Sequence, residues 1–384
     1  MKLRILVSCL FLLFIPFVSA QVYTITDLGP LSPTAINAWG QVVGNLNGEA
    51  FIWTQFAGRK GLGKLTGGTS SSASSINDLG VVTGTADGPG TVISPYSSTP
   101  NQVCTDLTQP FVWAPRSGIQ GLGTVVFTSD PGYPWCDLPF YASGINDLGQ
   151  VVGYGATGPN LFQYAFLWTS ADGMTSFGGS FPPTEAYGVS NTGKIVGQNS
   201  ISVIDIGHAT WWKNGVSTDL GTLGGGPDVV FYSSLANGVN DLGQIVGWST
   251  TASISMGGCS DFFVPGGCPM HAVLWTPSGA ISDLGTLPGD TLSAASKINI
   301  FGLVIGSSGN TIVPVGQSPS SPQVIGRPFI WSERNGMQDL NTLISGNPGW
   351  MLSSATGINL WGQIVGSGTL HGHARGFLLT PTFF

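Results

Sequence analysis

Along most of the chain, apolar residues alternate with small or polar ones over runs of four to six positions, and no stretch carries the period of a helix. These strand-like runs recur as three motifs. The first is an aliphatic residue, Asn, two variable residues and Gly, followed by an aliphatic run ending in Gly. Its seven copies are Ile36–Gly44, Ile76–Gly84, Ile145–Gly153, Val189–Gly197, Val239–Gly247, Ile298–Gly306 and Ile358–Gly366. The second is small–aromatic–aliphatic–Trp, at Ala50–Trp53, Pro110–Trp113, Ala165–Trp168, Ala209–Trp212, Ala272–Trp275 and Pro328–Trp331, with a degenerate copy at Gly376–Leu379. The third is Asp-Leu-Gly, at Asp27–Gly29, Asp219–Gly221 and Asp283–Gly285. Its weaker forms lie at Gly61–Gly63, Gly121–Gly123, Ser176–Gly178 and Asp339–Asn341.

Each unit predicts four short strands: a Trp strand, an Asp-Leu-Gly strand, a strand entering Ile-Asn, and a Val-Val-Gly strand. The Asn-Asp-Leu-Gly link has the chemistry of a tight hairpin, since Asn and Asp bond the local backbone and Gly takes positive φ without steric cost. Copies begin 40 to 69 residues apart, a spacing that belongs to propeller blades, whereas β-helix rungs are shorter. The first strand predicted, Tyr23–Gly29, is of the Asp-Leu-Gly type and the last, Gly376–Thr380, is of the Trp type. One end therefore supplies three strands of a blade and the other the fourth, and their pairing removes the exposed edges of an open array. The fold expected over residues 21–384 is a single all-β domain, a seven-bladed β-propeller of four-stranded antiparallel blades, closed by the N- and C-terminal strands in one blade.

Composition narrows the setting. Charged residues make up 8% of the chain, against roughly 25% in typical globular proteins. Aromatic and β-branched residues are plentiful, which excludes disorder. The net charge of −7 and the lack of a basic patch argue against a nucleic-acid partner. Lys2 and Arg4 precede an apolar run, Ile5–Phe17, and then the small residues Val18-Ser19-Ala20. That order is a secretory signal peptide over residues 1–20, so the protein is expected to be secreted, with no membrane segment after signal removal. The cysteines beyond it are Cys104, Cys136, Cys259 and Cys268, an even number that suggests two disulfides in an exported chain.

In an up-and-down blade, successive connections alternate between the two faces of the disc. The short links therefore share one face, and the long connections share the other: Thr85–Gln109, Thr124–Ala142, Thr222–Ala236, Trp248–Met270 and Ser307–Arg327. All four cysteines fall on the long-connection face. Cys259 and Cys268 can close a local loop, and Cys104 and Cys136 flank one hairpin, so each pair can meet without crossing the disc. The other pairings would join blades about three positions apart around the ring.

Little in the sequence points to catalysis. Asp78, Asp147 and Asp241 in the turns, and Asp27, Asp219, Asp283 and Asp339 in the Asp-Leu-Gly strands, recur through the ring and read as structural. Glycoside hydrolysis needs two carboxylates facing one substrate with separated pKa values, and a repeated Asp gives no such pair. The off-repeat Asp130, Asp137, Asp205, Asp228 and Asp261 remain to be tested. His208, His271 and His373 begin Trp strands, and His371 and His373 share a strand face without requiring a metal. No nucleophile elbow, phosphate loop or calcium loop occurs, so neither cofactor nor metal is expected. The repeated Trp residues are expected to pack between blades. Tyr133, Trp135, Trp248 and Trp350 lie outside the shared strands and are the candidate binding residues, because recognition tends to lie on loops over a rigid scaffold.

Taken together, the motifs resemble the HAF-type extracellular repeat family of bacteria, named from the His-Ala-Phe start of the Trp strand. The resemblance spans residues 23–380 and rests on His271–Trp275 and Asp283–Leu287 at family-like spacing from Val239–Gly247. It implies export and a β-rich repeat fold, and it implies no activity. In this chain the leading His is often replaced. The function expected is a non-enzymatic binding or adhesion module, or an envelope-associated protein, whose partner is an extracellular polysaccharide or another surface protein. The alternative is a carbohydrate-active hydrolase or lyase with acids at the channel mouth.

Overall fold

The computed structural model describes residues 22–93, 101–125, 139–157, 162–178, 181–200, 207–224, 233–251, 270–315, 318–346 and 349–382. The described chain forms seven antiparallel sheets in a ring, a seven-bladed β-propeller. Blade 1 is β2 (Ser32–Ile36), β3 (Val42–Leu46), β4 (Glu49–Thr54) and β5 (Gly58–Gly63). Blade 2 is β6 (Ser71–Ile76), β7 (Val82–Ile93), β8 (Asn101–Ala114) and β9 (Gly118–Gly121), with the short β10 (Thr124–Val125) added parallel to β7. Blade 3 holds β11 (Phe140–Ile145), β12 (Val151–Thr157), β13 (Phe162–Thr169) and β14 (Gly173–Phe177). Blade 4 holds β15 (Phe181–Val189), β16 (Ile195–Ser200), β17 (His208–Lys213) and β18 (Val216–Asp219). Blade 5 holds β19 (Ser234–Val239), β20 (Ile245–Thr250), β21 (Met270–Trp275) and β22 (Ile281–Asp283). Blade 6 holds β23 (Leu292–Ile298), β24 (Val304–Val315), β25 (Ser318–Ser332) and β26 (Gly336–Asp339). Blade 7 pairs β27 (Trp350–Ile358), β28 (Ile364–Leu370) and β29 (His373–Thr382) with β1 (Val22–Gly29) from the other end of the chain.

The ring closes between the terminal strands, as the repeat phase predicts. The sequence repeat is offset from the blade by one hairpin. In the blade the Ile-Asn strand comes first and the Asp-Leu-Gly strand last, so the C-terminal end supplies three strands of blade 7 and the N-terminal end one. Two of the expected long connections are also built differently. Much of Thr85–Gln109 and Ser307–Arg327 is paired strand, the far halves of β7–β8 and β24–β25.

Packing follows the ring. One apolar cluster fills each of the seven blade interfaces, from Val43, Ile52 and Trp113 between blades 1 and 2 round to Leu28, Phe51 and Val365 between blades 7 and 1. Trp113, Trp212 and Trp275 are buried in these clusters, the role predicted for the repeated Trp. The Gly that ends each Val-Val-Gly run is required by close approach. A Cβ at Gly44, Gly153 or Gly247 would collide with the carbonyl oxygen of the facing first strand.

The outer strands explain why the leading His varies. In four blades the residue before the small–aromatic pair meets the Asp of Asp-Leu-Gly: His208 with Asp219 (2.9 Å), His271 with Asp283 (2.8 Å), Arg327 with Asp339 (3.3 Å) and Arg375 with Asp27 (4.0 Å). The same Asp accepts a hydrogen bond from the backbone two residues on, as from Gly221 N to Asp219 (2.7 Å) and Gly285 N to Asp283 (2.8 Å). In blades 1 and 2 Gly61 and Gly121 replace the Asp. There Glu49 and Gln109 stand in the His position and reach across to accept from Gly63 N (3.1 Å) and Gly123 N (2.9 Å).

Candidate functional site

The first strands of the blades stand around an axial channel with two mouths. At one, the hairpin turns form a ring of hydrogen bonds. Each Asn donates its amide to the backbone carbonyl of the equivalent residue in the next blade: Asn37 to Asn77 (3.0 Å), Asn77 to Asn146 (2.9 Å), Asn146 to Ser190 (2.9 Å), Asn240 to Asn299 (2.9 Å), Asn299 to Asn359 (3.1 Å) and Asn359 to Asn37 (3.0 Å). The following residues add a second tier. Asp78 accepts from Ala38 N, Asp147 from Asp78 N and Asp241 from Asn191 N, at 2.7–2.8 Å. Asn191 also bridges Asp147 (2.8 Å) and Asp241 (3.1 Å) through its amide. These turn aspartates are structural, as the repeat predicts, and hold neighbouring blades together.

Toward the other mouth, every first strand carries a register shift, and the residue at the shift is Thr34, Ser74, Ser143, Tyr187, Asn237, Ser296 or Thr356. Such β-bulges re-aim a side chain out of the ladder. Most of these residues staple one blade to the next. Thr34 donates to Ala73 O (2.9 Å), Ser74 to Ala142 O (2.6 Å), Asn237 to Ala295 O (2.9 Å) and Thr356 to Pro33 O (3.0 Å).

Blade 4 departs from this scheme. Its bulge residue is Tyr187, whose hydroxyl donates to the carboxylate of Glu185, a side chain buried at 0% exposure. Tyr187 also meets Tyr154 at 5.6 Å between ring centroids, and Tyr154 meets Tyr141 at 5.8 Å. Burial, with the nearby Glu185 carboxylate adding to it, pushes the Tyr154 phenol above the ordinary tyrosine range, so this ring stays a neutral hydrogen-bonding surface. Two blades further round the ring, blade 6 carries Lys297 just after its bulge, where the other blades have Ala35, Ser75, Gly144, Gly188, Gly238 and Gly357. Lys297 is half-buried, and desolvation lowers its pKa below the ordinary lysine value.

These departures meet in one cavity of about 370 Å³. Tyr154, Tyr187, Asn237, Lys297, Gln323 and Ser354 are among the residues that line it. The site combines aromatic faces, amides, hydroxyls and one ammonium. Gln323 and Val324 come from the long β24–β25 hairpin, which places the cavity on the long-connection face.

The residues chosen from sequence are distributed differently. Trp248 lies in β20, not in a loop, and at 3% exposure it is buried with Leu235, Met270, Leu292 and Val324, against which Tyr187 packs. It therefore backs the cavity wall. Trp350 begins β27 and packs edge-on against Phe377 (6.3 Å) at the interface of blades 6 and 7. Tyr133, Trp135, Cys136, Cys259 and Cys268 lie outside the described residues, as do Asp130, Asp137, Asp205, Asp228 and Asp261. For Cys104 only the backbone is described, paired with Gly90. Tyr187 and Lys297 were missed, although they were detectable as the residues that break a seven-fold position.

No protein-family model matches the sequence, and no curated protein matches it. Among solved structures, a catalytically inactive virginiamycin B lyase from Staphylococcus aureus aligns over 93% of this chain and 99% of its own, at 10% identity and a TM-score of 0.47. The dipeptidyl peptidase 4 of Porphyromonas gingivalis aligns over 88% and 50%, at 9% identity and 0.42. The Aleuria aurantia lectin aligns over 83% and 94%, at 13% identity and 0.30. Among the described residues, no helix is long and apolar enough to cross a membrane.

Proposed function

We propose that this chain is a secreted, non-enzymatic binding module of the HAF repeat type, which takes part of an extracellular polysaccharide into the axial cavity on its long-connection face. One observation carries the reading. The repeat is broken at channel-lining positions by Tyr187 and Lys297, and these two enclose one cavity with Tyr154. A volume of about 370 Å³ lies within the roughly 300–1,000 Å³ of small-ligand sites. Aromatic faces with a polar edge suit sugar rings, which present an apolar C–H face and a hydroxyl rim. Tyr133 and Trp135 remain contacts of the same proposal, from the connection between β10 and β11. Export and the two disulfides, Cys104–Cys136 and Cys259–Cys268, belong to it as well.

The alternative of a carbohydrate-active enzyme has less support, since Asp78, Asp147 and Asp241 direct their carboxylates to backbone amides. Screening the secreted protein on a glycan array, with a parallel assay for sugar release, tests both readings. Binding without release is expected, and Tyr187→Ala should weaken it tenfold or more, since central aromatic contacts dominate binding energy. Release of sugar by the wild-type chain, or binding indifferent to Tyr187→Ala, would overturn the reading.

A further inference from the structure

We propose that the ligand of the axial cavity carries a carboxylate, bound by Lys297, so that the module recognises an acidic sugar such as a uronate. The inference rests on the cavity being a binding site and adds the charge of what it binds. Lys297 stands where every other blade has Ala, Ser or Gly, so neither the strand nor the blade interface requires its side chain. Among the described residues it forms no ion pair or hydrogen bond, and no neighbouring charge acts on it.

A charge removed from water without a partner is costly, and such groups are found paired or poised for a ligand. The rest of the cavity supplies neutral donors: the Gln323 amide, the second N–H of the Asn237 amide, and the Ser307 and Ser354 hydroxyls. One cation among neutral donors matches a monoanion. A phosphate, with up to two negative charges, would call for further cations, and the described lining offers none. The tyrosines supply the surface for the sugar ring that bears the carboxylate.

The test uses the full secreted chain and an array of uronate- and sialate-terminated glycans, each beside its carboxyl-reduced, neutral counterpart. The wild type should bind at least one acid tenfold or more tighter than its reduced form. Lys297→Met, similar in volume and uncharged, should abolish that preference while Lys297→Arg keeps part of it. Thermal melting supplies a readout without ligand, because Lys297→Met removes an unpaired half-buried charge and should leave the midpoint unchanged or raise it. A lower midpoint would mean that the ammonium has a structural partner, and would overturn the proposal. Equal binding of acids and reduced forms, with both lost on Tyr187→Ala, would overturn the carboxylate and leave the binding site standing. Failure of the wild type to bind either kind of glycan would sink both readings.

Discussion

In the blade 6 turn, Asn299 performs three tasks with one amide. Asn299 accepts from the backbone of Phe301 (3.0 Å) and Leu303 (3.0 Å), which fixes its own hairpin, and donates to Asn359 O (3.1 Å), which fixes the next blade. The sequence discloses the first role, because Asn and Asp close turns on their own backbone. It does not disclose the second, because a bond between blades has no signature in local spacing. At 5% exposure, truncating this amide leaves buried donors and acceptors without partners. Each such group costs about 1–3 kcal/mol. Asn299→Ala is therefore expected to cost about 2–4 kcal/mol in urea-induced unfolding. A loss under about 0.5 kcal/mol would show that the bond between blades contributes nothing beyond what water supplies. Tyr187 and Lys297 belong to the same scale. Seven copies define what a position normally holds, so a residue that departs from it was visible in the aligned repeats, whereas its meeting with other such residues in one cavity depended on the ring.

At the scale of strands, a repeat makes most elements legible. Positive φ at Gly40, Gly80 and Gly149 matches the predicted turns, and the four strand types pair in hairpin order. The far halves of β7–β8 and β24–β25 were not legible, because runs such as Thr85–Gly90 are rich in small and polar residues that also form loops. Trp248 was misplaced for a related reason: it follows the Val-Val-Gly core, where the other blades carry smaller or more polar residues. The outer-strand pair gives a test of strand-level logic. In blade 1, Glu49 occupies the space of the missing Asp side chain, and a Cβ on Gly61 would collide with its carboxylate. Gly61→Asp alone should destabilise the fold by about 1–3 kcal/mol through overpacking and repulsion of like charges. Glu49→His alone should cost about 1 kcal/mol, the acceptor of Gly63 N being lost. Together the two changes install the arrangement of blades 4 and 5 and should recover most of the loss. A double-mutant cycle measures this, with a coupling of about 1 kcal/mol or more expected between residues in contact. Simple additivity would mean that the two positions do not substitute for one another.

For the molecule as a whole, stability depends on a ring with no free edge. β29 is hydrogen-bonded to β28 on one side and to β1 on the other, and Thr382 donates to Val22 O (2.7 Å) where the two ends meet. Its Phe377, Leu378 and Leu379 are buried. They fill the interfaces of blade 7 with blades 6 and 1. Full burial contributes about 1.5–3 kcal/mol for each such side chain, and a domain has only about 5–15 kcal/mol to lose. Removing residues 373–384 takes away these three, strands β28 and β1 lose their partner, and two blades are left facing a gap. That truncation should abolish the cooperative thermal transition. Removing β1 alone, with a chain beginning at Leu31, should be milder. It exposes β29 as an edge and takes away Tyr23 and Leu28, so a folded ring with a lower melting temperature and a tendency to self-associate is expected. The order of the two effects carries the argument. A merely stacked array would lose about as much from either end, whereas here β29 is the inner partner and β1 the outer one. Calorimetry and light scattering on both truncations decide it. If the 373–384 deletion melts like the full chain, the terminal strands do not hold the ring together.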